Sequence, residues 1–310
     1  MSAALALAVL AGTPGRVVLA GDGVAFDAAT CDDLGARERV LLLVGDAGPA
    51  KVAFAAAGAA TRSFALDPER PFPGDDREAA EVVRAARCVV LSGGRYLDWY
   101  RLVTPGGATT RLAAAVRAAH EGGATIVGLG AAAPFLAEWT MVERAATGKP
   151  VRNPRRPHED VAVRGLGLLP GLLADSSAAE RGSPARLLRA TFDGGLDRAL
   201  FVGGGTAWIA DPARETARVV GAGRTLLFDV TRARRSRGTW RDARVAALAE
   251  GARWSRREGV ACAGDPGTLE DLRNALEAAG ATLTLHQPPP GPVGAVCETA
   301  FDLAWEPAGS

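Results

Sequence analysis

The sequence predicts a doubly wound α/β fold, a mostly parallel β-sheet with helices on both faces. Three observations predict it. Short apolar runs at residues 16–20, 39–44, 88–91 and 124–128 are continuous rather than alternating, the pattern of strands buried on both faces. A stretch at 109–120 carries Leu112, Val116 and Ala119 at three- to four-residue spacing, which gives a helix one apolar face. The chain has 310 residues, 48% of them hydrophobic, enough for a sizeable core. In such sheets ligands bind at the carboxyl ends of the strands.

The remaining elements follow in order. After Gly148, "GKPVRNPRRPHED" reads as a polar, proline-rich loop. Between residues 197 and 230 the pieces "RALFV", "TAWIAD", "ARVVGAG" and "TLLFDV" read as strands with little helix between them, and they are suited to extend the sheet in an antiparallel sense. Residues 239–257 read as helical. "TLEDLRNALEAAG" opens with Thr268 and Asp271 in a capping-box pattern and closes at Gly280, so it reads as a helix. "ATLTL" reads as a strand and "QPPPGP" as a stiff extended turn. With no internal repeat and no clear linker, residues 1–310 read as one α/β domain. Its core is 15–230 and its C-terminal elaboration 231–310.

Bulk properties remove several functions. The formal net charge is +1 and aromatics make up 5%, so neither a basic field nor a stacking platform for nucleic acid is expected. Cys31, Cys88, Cys262 and Cys297 form no C-x-x-C pair and read as reduced thiols, not metal ligands. The opening "MSAALALAVLAG" has no basic start, and no run reaches the ~18 apolar residues of a membrane helix. The expected location is therefore cytoplasmic, away from membranes. Asp22–Gly23 and the "GGG" at 203–205 do not continue into a phosphate-binding motif, so no nucleotide cofactor is expected. Asp22, Asp32, Asp33 and Asp46 read as turn caps, and no metal is expected.

The run "IVGLGAAAPF" resembles the strand and turn on which a hydrolase presents its nucleophile. The order "VVLSGGRYLDWYRLV", "GATIVGLGAAA", "GLGLLPGLLADSSAAERGSPARLL" and "ALFVGGGTAWIAD" resembles the cyanophycinase and aspartyl-dipeptidase family of serine peptidases over residues 15–229. That resemblance implies a flavodoxin-like core related to the glutamine amidotransferases, and a homodimer. It also implies a nucleophilic Ser in G-T-S-A-G, a His in D-Q-H-F and a carboxylate in G-I-D-E-x-T-A. The polymer-degrading members cut arginine-decorated polyaspartate and release β-aspartyl-arginine.

Carried over by position, the Ser falls on Gly130, the His on Ser177 and the Glu on Gly204. Acyl transfer needs a nucleophile, a base and a group to orient the base, and none of these residues supplies its part. Binding groups persist. Gly93, Gly94 and Ala131 match positions that present backbone N–H groups to an oxyanion. Asp175, Arg181 and Arg186 match charged positions of the D-Q-H-F stretch, while its Gln and middle Arg become Ser176 and Ser183. The expectation is an inactive relative that binds an acidic or arginine-containing peptide or a partner protein in the old cleft. The alternatives are a hydrolase using other groups and a structural partner of an active relative. Ser92, Ser176 and Ser177 lie in segments near the expected pocket but lack a base. His120 is expected at the far end of the sheet as a helix C-terminal cation favoured by the dipole, His158 in a solvated loop, and His286 at a strand end.

Overall fold

The computed structural model describes residues 14–22, 38–45, 60–143, 160–176, 184–236, 239–255, 259–261, 281–285 and 298–305. The first sheet begins with β1 (Val17–Ala20), β2 (Glu38–Val44), β3 (Ala60–Leu66), β4 (Cys88–Gly93) and β5 (Thr125–Leu129). These five are parallel neighbours in the order β3-β2-β4-β5-β1. Strands β2 to β5 reproduce the first four places of the flavodoxin-like order, and β1 takes the fifth place although it comes first in the chain. The continuous apolar runs thus form strands as expected, because β1, β4 and most of β5 are buried on both faces.

Among the described residues three α-helices connect these strands. Helix α1 (Arg77–Ala85) is capped by Asp76, whose side chain accepts from Ala79 N at 2.9 Å. Helix α2 (Tyr96–Val103) follows the Gly93–Gly94 turn. Helix α3 (Arg111–Glu121) starts after Thr110, whose hydroxyl accepts from Ala113 N at 3.2 Å, and it buries Leu112, Val116 and Ala119 as their spacing requires. The described helices α1 to α3 share one core with Val17, Leu19, Leu91 and Ile126. Val18, Val90 and Val127 form a separate apolar layer on the opposite face.

A second sheet was not expected. After β5, a short 3-10 helix (Gly130–Leu136) leads to β6 (Ala137–Glu143), β7 (Asp160–Arg164) and β8 (Leu169–Ser176). Helix α4 (Pro184–Gly194) then returns the chain to β9 (Arg198–Val202), parallel to β8. Strand β10 (Ala207–Asp211) extends the first sheet antiparallel to β1, and β11 (Thr216–Val220) pairs antiparallel with β10, the antiparallel extension that was anticipated. "TLLFD" instead forms β12 (Thr225–Asp229), which joins β9 in the second sheet.

Residues 239–257 correct a second expectation. Within this span the described residues 239–255 carry β14 (Thr239–Leu248), which pairs with the preceding β13 (Arg234–Ser236), and β15 (Arg253–Ser255), not a helix. Ala243, Val245 and Ala247 face the α4 side, whereas Ala246 and Leu248 face the central core. Alternation between two apolar layers, together with pairing to β12, outweighs the helical preference of alanine. Strands β16 (Gly259–Ala261), β17 (Ala281–Leu285) and β18 (Glu298–Trp305) complete the sheets. The expected helix at 268–280 and the turn "QPPPGP" lie outside the described residues.

Candidate functional site

Gly130 follows β5 with φ +60° and opens the 3-10 helix, whose seven residues are all buried. A sharp, left-handed strand-to-helix turn is the backbone shape of a nucleophile elbow. Here it is occupied by the residue that adopts that φ without strain. Small residues let the helix sit close to the sheet, since a Cβ on Gly128 would lie 2.7 Å from Ala133 Cα.

The end of β8 packs beside this turn. The Ser176 hydroxyl donates to the Gly130 carbonyl at 3.1 Å. Asp175 is wholly buried and gathers three donors. The Tyr96 hydroxyl donates to its Oδ1 at 2.6 Å, Ser176 N to the same oxygen at 2.9 Å, and Arg186 Nη2 to Oδ2 at 3.1 Å. Burial lifts the Asp175 carboxyl above its ordinary range, against the pull of Arg186 and its hydrogen bonds. Burial first, then the Asp175 charge, pushes the Tyr96 phenol well above its usual value, so it remains a donor. Tyr96 was not singled out from the sequence. Its place directly after the S-G-G turn, at the head of a helix, was the available signal.

The other positions gather at the same end. Gly204 is exposed in the turn between β9 and β10. Its Cα lies 3.3 Å from where a side chain on Gly21, just past β1, would begin. Gly205 N donates to Asp22 O at 2.6 Å, which brings Asp22 to this turn, its carboxyl pKa raised by partial burial. Leu91 pairs with Gly128, Ala20 with Leu129 and Ser176 with Val202. The carboxyl ends of β1, β4 and β5 thereby line up in the first sheet and those of β8 and β9 in the second, and the Ser176–Gly130 bond joins the two sets. Gly93 and Gly94 close β4 with φ +79° and +67°, and the Trp99 indole donates to Gly93 O at 2.7 Å. Ala131 is buried next to Gly130, and Ser92 is buried in β4. Ser177, Arg181, Ser183, His158 and His286 lie outside the described residues, as do Asp32, Asp33 and Asp46. Among the described residues no group of three His, Cys, Asp or Glu side chains is placed to hold a metal ion.

His120 sits at the other end of β5, roughly 17 Å from Gly130 at ~3.3 Å per residue. It is buried, with Nε2 2.9 Å from Gly15 O. His120 stands in the last turn of α3 as expected, but desolvation lowers its pKa against the Gly15 bond and Glu121, so burial opposes the cation that the dipole favours. The unfolded chain therefore binds the extra proton first. This residue's contribution to stability is present above its ordinary value of 6.5 and is lost as pH falls below it. His120→Gln should flatten the fall in melting temperature below that pH, and a thermal-melt series across pH 5 to 8 checks this.

Among the described residues no helix is long and apolar enough to cross a membrane. No protein-family model matches the chain and no curated protein matches it. Among solved structures, the chain is similar to a peptidase from an acI-B1 Actinobacterium at 16% identity and a TM-score of 0.48, over 68% of this chain and 89% of that one. It is also similar to a putative peptidase E protein from Listeria monocytogenes EGD-e at 9% identity and a TM-score of 0.43, over 68% of this chain and 100% of that one.

Proposed function

We propose that this chain is a cyanophycinase-like scaffold that no longer hydrolyses, and that it binds an acidic or arginine-containing peptide at the carboxyl ends of its parallel strands. One observation supports the reading: the turn from β5 into the 3-10 helix, the backbone shape of a nucleophile elbow, is held at φ +60° by Gly130, which has no side chain. Among the described residues the one histidine lies at the opposite end of the sheet. At the elbow Asp175 accepts hydrogen bonds from both Tyr96 and Arg186, so charged and polar groups gather at this end. In serine proteases the nucleophile alone is worth about 10⁶ in turnover.

The purified chain incubated with β-aspartyl-arginine and with arginine-decorated polyaspartate should release no product above buffer. The same ligands should raise its melting temperature. Turnover that survives purification and falls in Ser176→Ala or Ser177→Ala would establish an active hydrolase instead. Absence of both turnover and thermal shift would favour a structural partner. Gly130→Ser with Ser177→His and Gly204→Glu should fold, at a cost of about 1–2 kcal/mol for a side chain in the left-handed region.

A further inference from the structure

A cleft of about 330 Å³ opens at the end of the molecule opposite Gly130. It lies between the two sheets. Pro14 and His120 border it at the amino ends of β1 and β5, and Leu169, Leu172 and Arg198 at the amino ends of β8 and β9. Ligands of parallel sheets normally sit at carboxyl ends, so this cleft is independent of the site above and of the reading built on it.

Its walls are chemically uneven. Trp208 and Trp254 stand with ring centroids 6.0 Å apart at 46°, and Leu166, Leu168 and Leu227 supply buried aliphatic surface. Arg117 enters this wall half-buried. Its Nε donates to Leu166 O at 2.7 Å and its Nη1 to Thr109 Oγ1 at 3.3 Å. These bonds fix the guanidinium plane but do not neutralise it, and Nη2 keeps both its hydrogens for another acceptor. No carboxylate pairs with Arg117 among the described residues. Arg198, by contrast, already holds Asp229 at 3.3 Å. Glu121 and Glu215 lie exposed at the mouth, where water and salt screen them. Asp211 is engaged by Arg214 at 3.5 Å.

We propose that this cleft binds a small planar aromatic carboxylate, its ring against Trp208 and Trp254 and its carboxylate on Arg117. The volume falls within the range of small-molecule sites. Aromatic rings favour tilted or offset packing on each other, and a planar guanidinium is matched to a carboxylate.

The probes are 2-naphthoate, the neutral 2-naphthylmethanol and the cationic 2-naphthylmethylammonium, titrated into the full chain and followed by tryptophan fluorescence. The carboxylate should bind about tenfold more tightly than the alcohol, the worth of one charge-assisted hydrogen bond. Arg117→Gln should erase that difference while leaving the alcohol's affinity in place. Leu172→Trp, which fills the cleft from a half-buried position on β8, should abolish binding of both. If Arg117→Gln does not fold, the carboxylate-to-alcohol ratio in the unaltered chain decides. No binding, tighter binding of the ammonium probe, or undiminished binding to Leu172→Trp overturns the proposal.

Discussion

Asp175→Ala should lower stability by about 3–5 kcal/mol, the cost of removing one partner from a buried ion pair. At roughly 2 °C per kcal/mol for a chain of this size, the melting temperature should fall by about 6–10 °C. The carboxylate has no exposure, and it answers the Tyr96 hydroxyl, the Ser176 amide and the Arg186 guanidinium together. Arg186 is only 18% exposed, so water does little to replace the lost acceptor. Tyr96→Phe removes one donor and keeps the Arg186 pair, so it should cost about 1 kcal/mol. Asp175→Asn tests a separate consequence. The folded carboxyl has a raised pKa, so the folded chain holds the proton longer than the unfolded one. Stability from this group therefore declines as pH rises from the ordinary value of 3.8 through the folded pKa. Asn does not titrate, and its melting curve should lose that decline. Differential scanning calorimetry of the three variants between pH 3 and 8 separates the two effects. An Asp175→Ala loss below about 1 kcal/mol would mean the cluster is not held as described.

The inner parallel strands were legible because they are buried on both faces, whereas the edge strand β3, with Arg62, Ser63 and Ala65 exposed, was not read from the sequence. Burial of that kind leaves a local trace, an unbroken apolar run, at 16–20, 88–91 and 124–128. Strands β9, β12 and β17 of the second sheet left traces of their own, "RALFV", "TLLFDV" and "ATLTL", but nothing local marks them as members of a separate sheet. β14 is rich in alanine, and whether Ala243, Val245 and Ala247 alternate or spiral is decided by β12 and β18 beside it. Both partners lie outside the segment itself, and β18 is distant in sequence, so local propensity points the wrong way. The same limit explains β12, whose apolar run fits either sheet until β9 and β14 are placed around it.

At the site, positions were legible and contacts were not. Gly130 follows a strand and precedes small residues, which marks a sharp turn from the sequence alone. Gly93 and Gly94 are likewise marked by their pairing in a turn. That Tyr96 reaches Asp175 across 79 residues, or that Ser176 reaches the Gly130 carbonyl across 46, follows from packing of β8 against the elbow helix. His120 shows how burial reverses a local rule. The last turn of α3 favours a cation, but closure of the core around Gly15 removes the water a cation needs.

Trp99→Ala should be as damaging as the loss of Asp175, at about 3–5 kcal/mol, because it empties a fully buried site of the largest side chain. Trp99 lies on α2 between the sheet and the neighbouring helices, and its indole fixes the Gly93 carbonyl at 2.7 Å. Two functions are therefore coupled in one residue: it fills the core, and it sets the β4 turn that faces the elbow. Trp99→Phe divides them. The ring keeps most of the packing, and the carbonyl loses its donor at a cost of about 1–2 kcal/mol. If the Gly93–Gly94 turn takes part in peptide binding, Trp99→Phe should weaken the thermal shift produced by β-aspartyl-arginine. It should leave 2-naphthoate binding unchanged, since distant sites with no shared partners respond independently. Parallel titrations of both ligands into this variant make the comparison. Equal weakening at the two ends would show that Trp99 supports the whole core and has no separate effect on the turn.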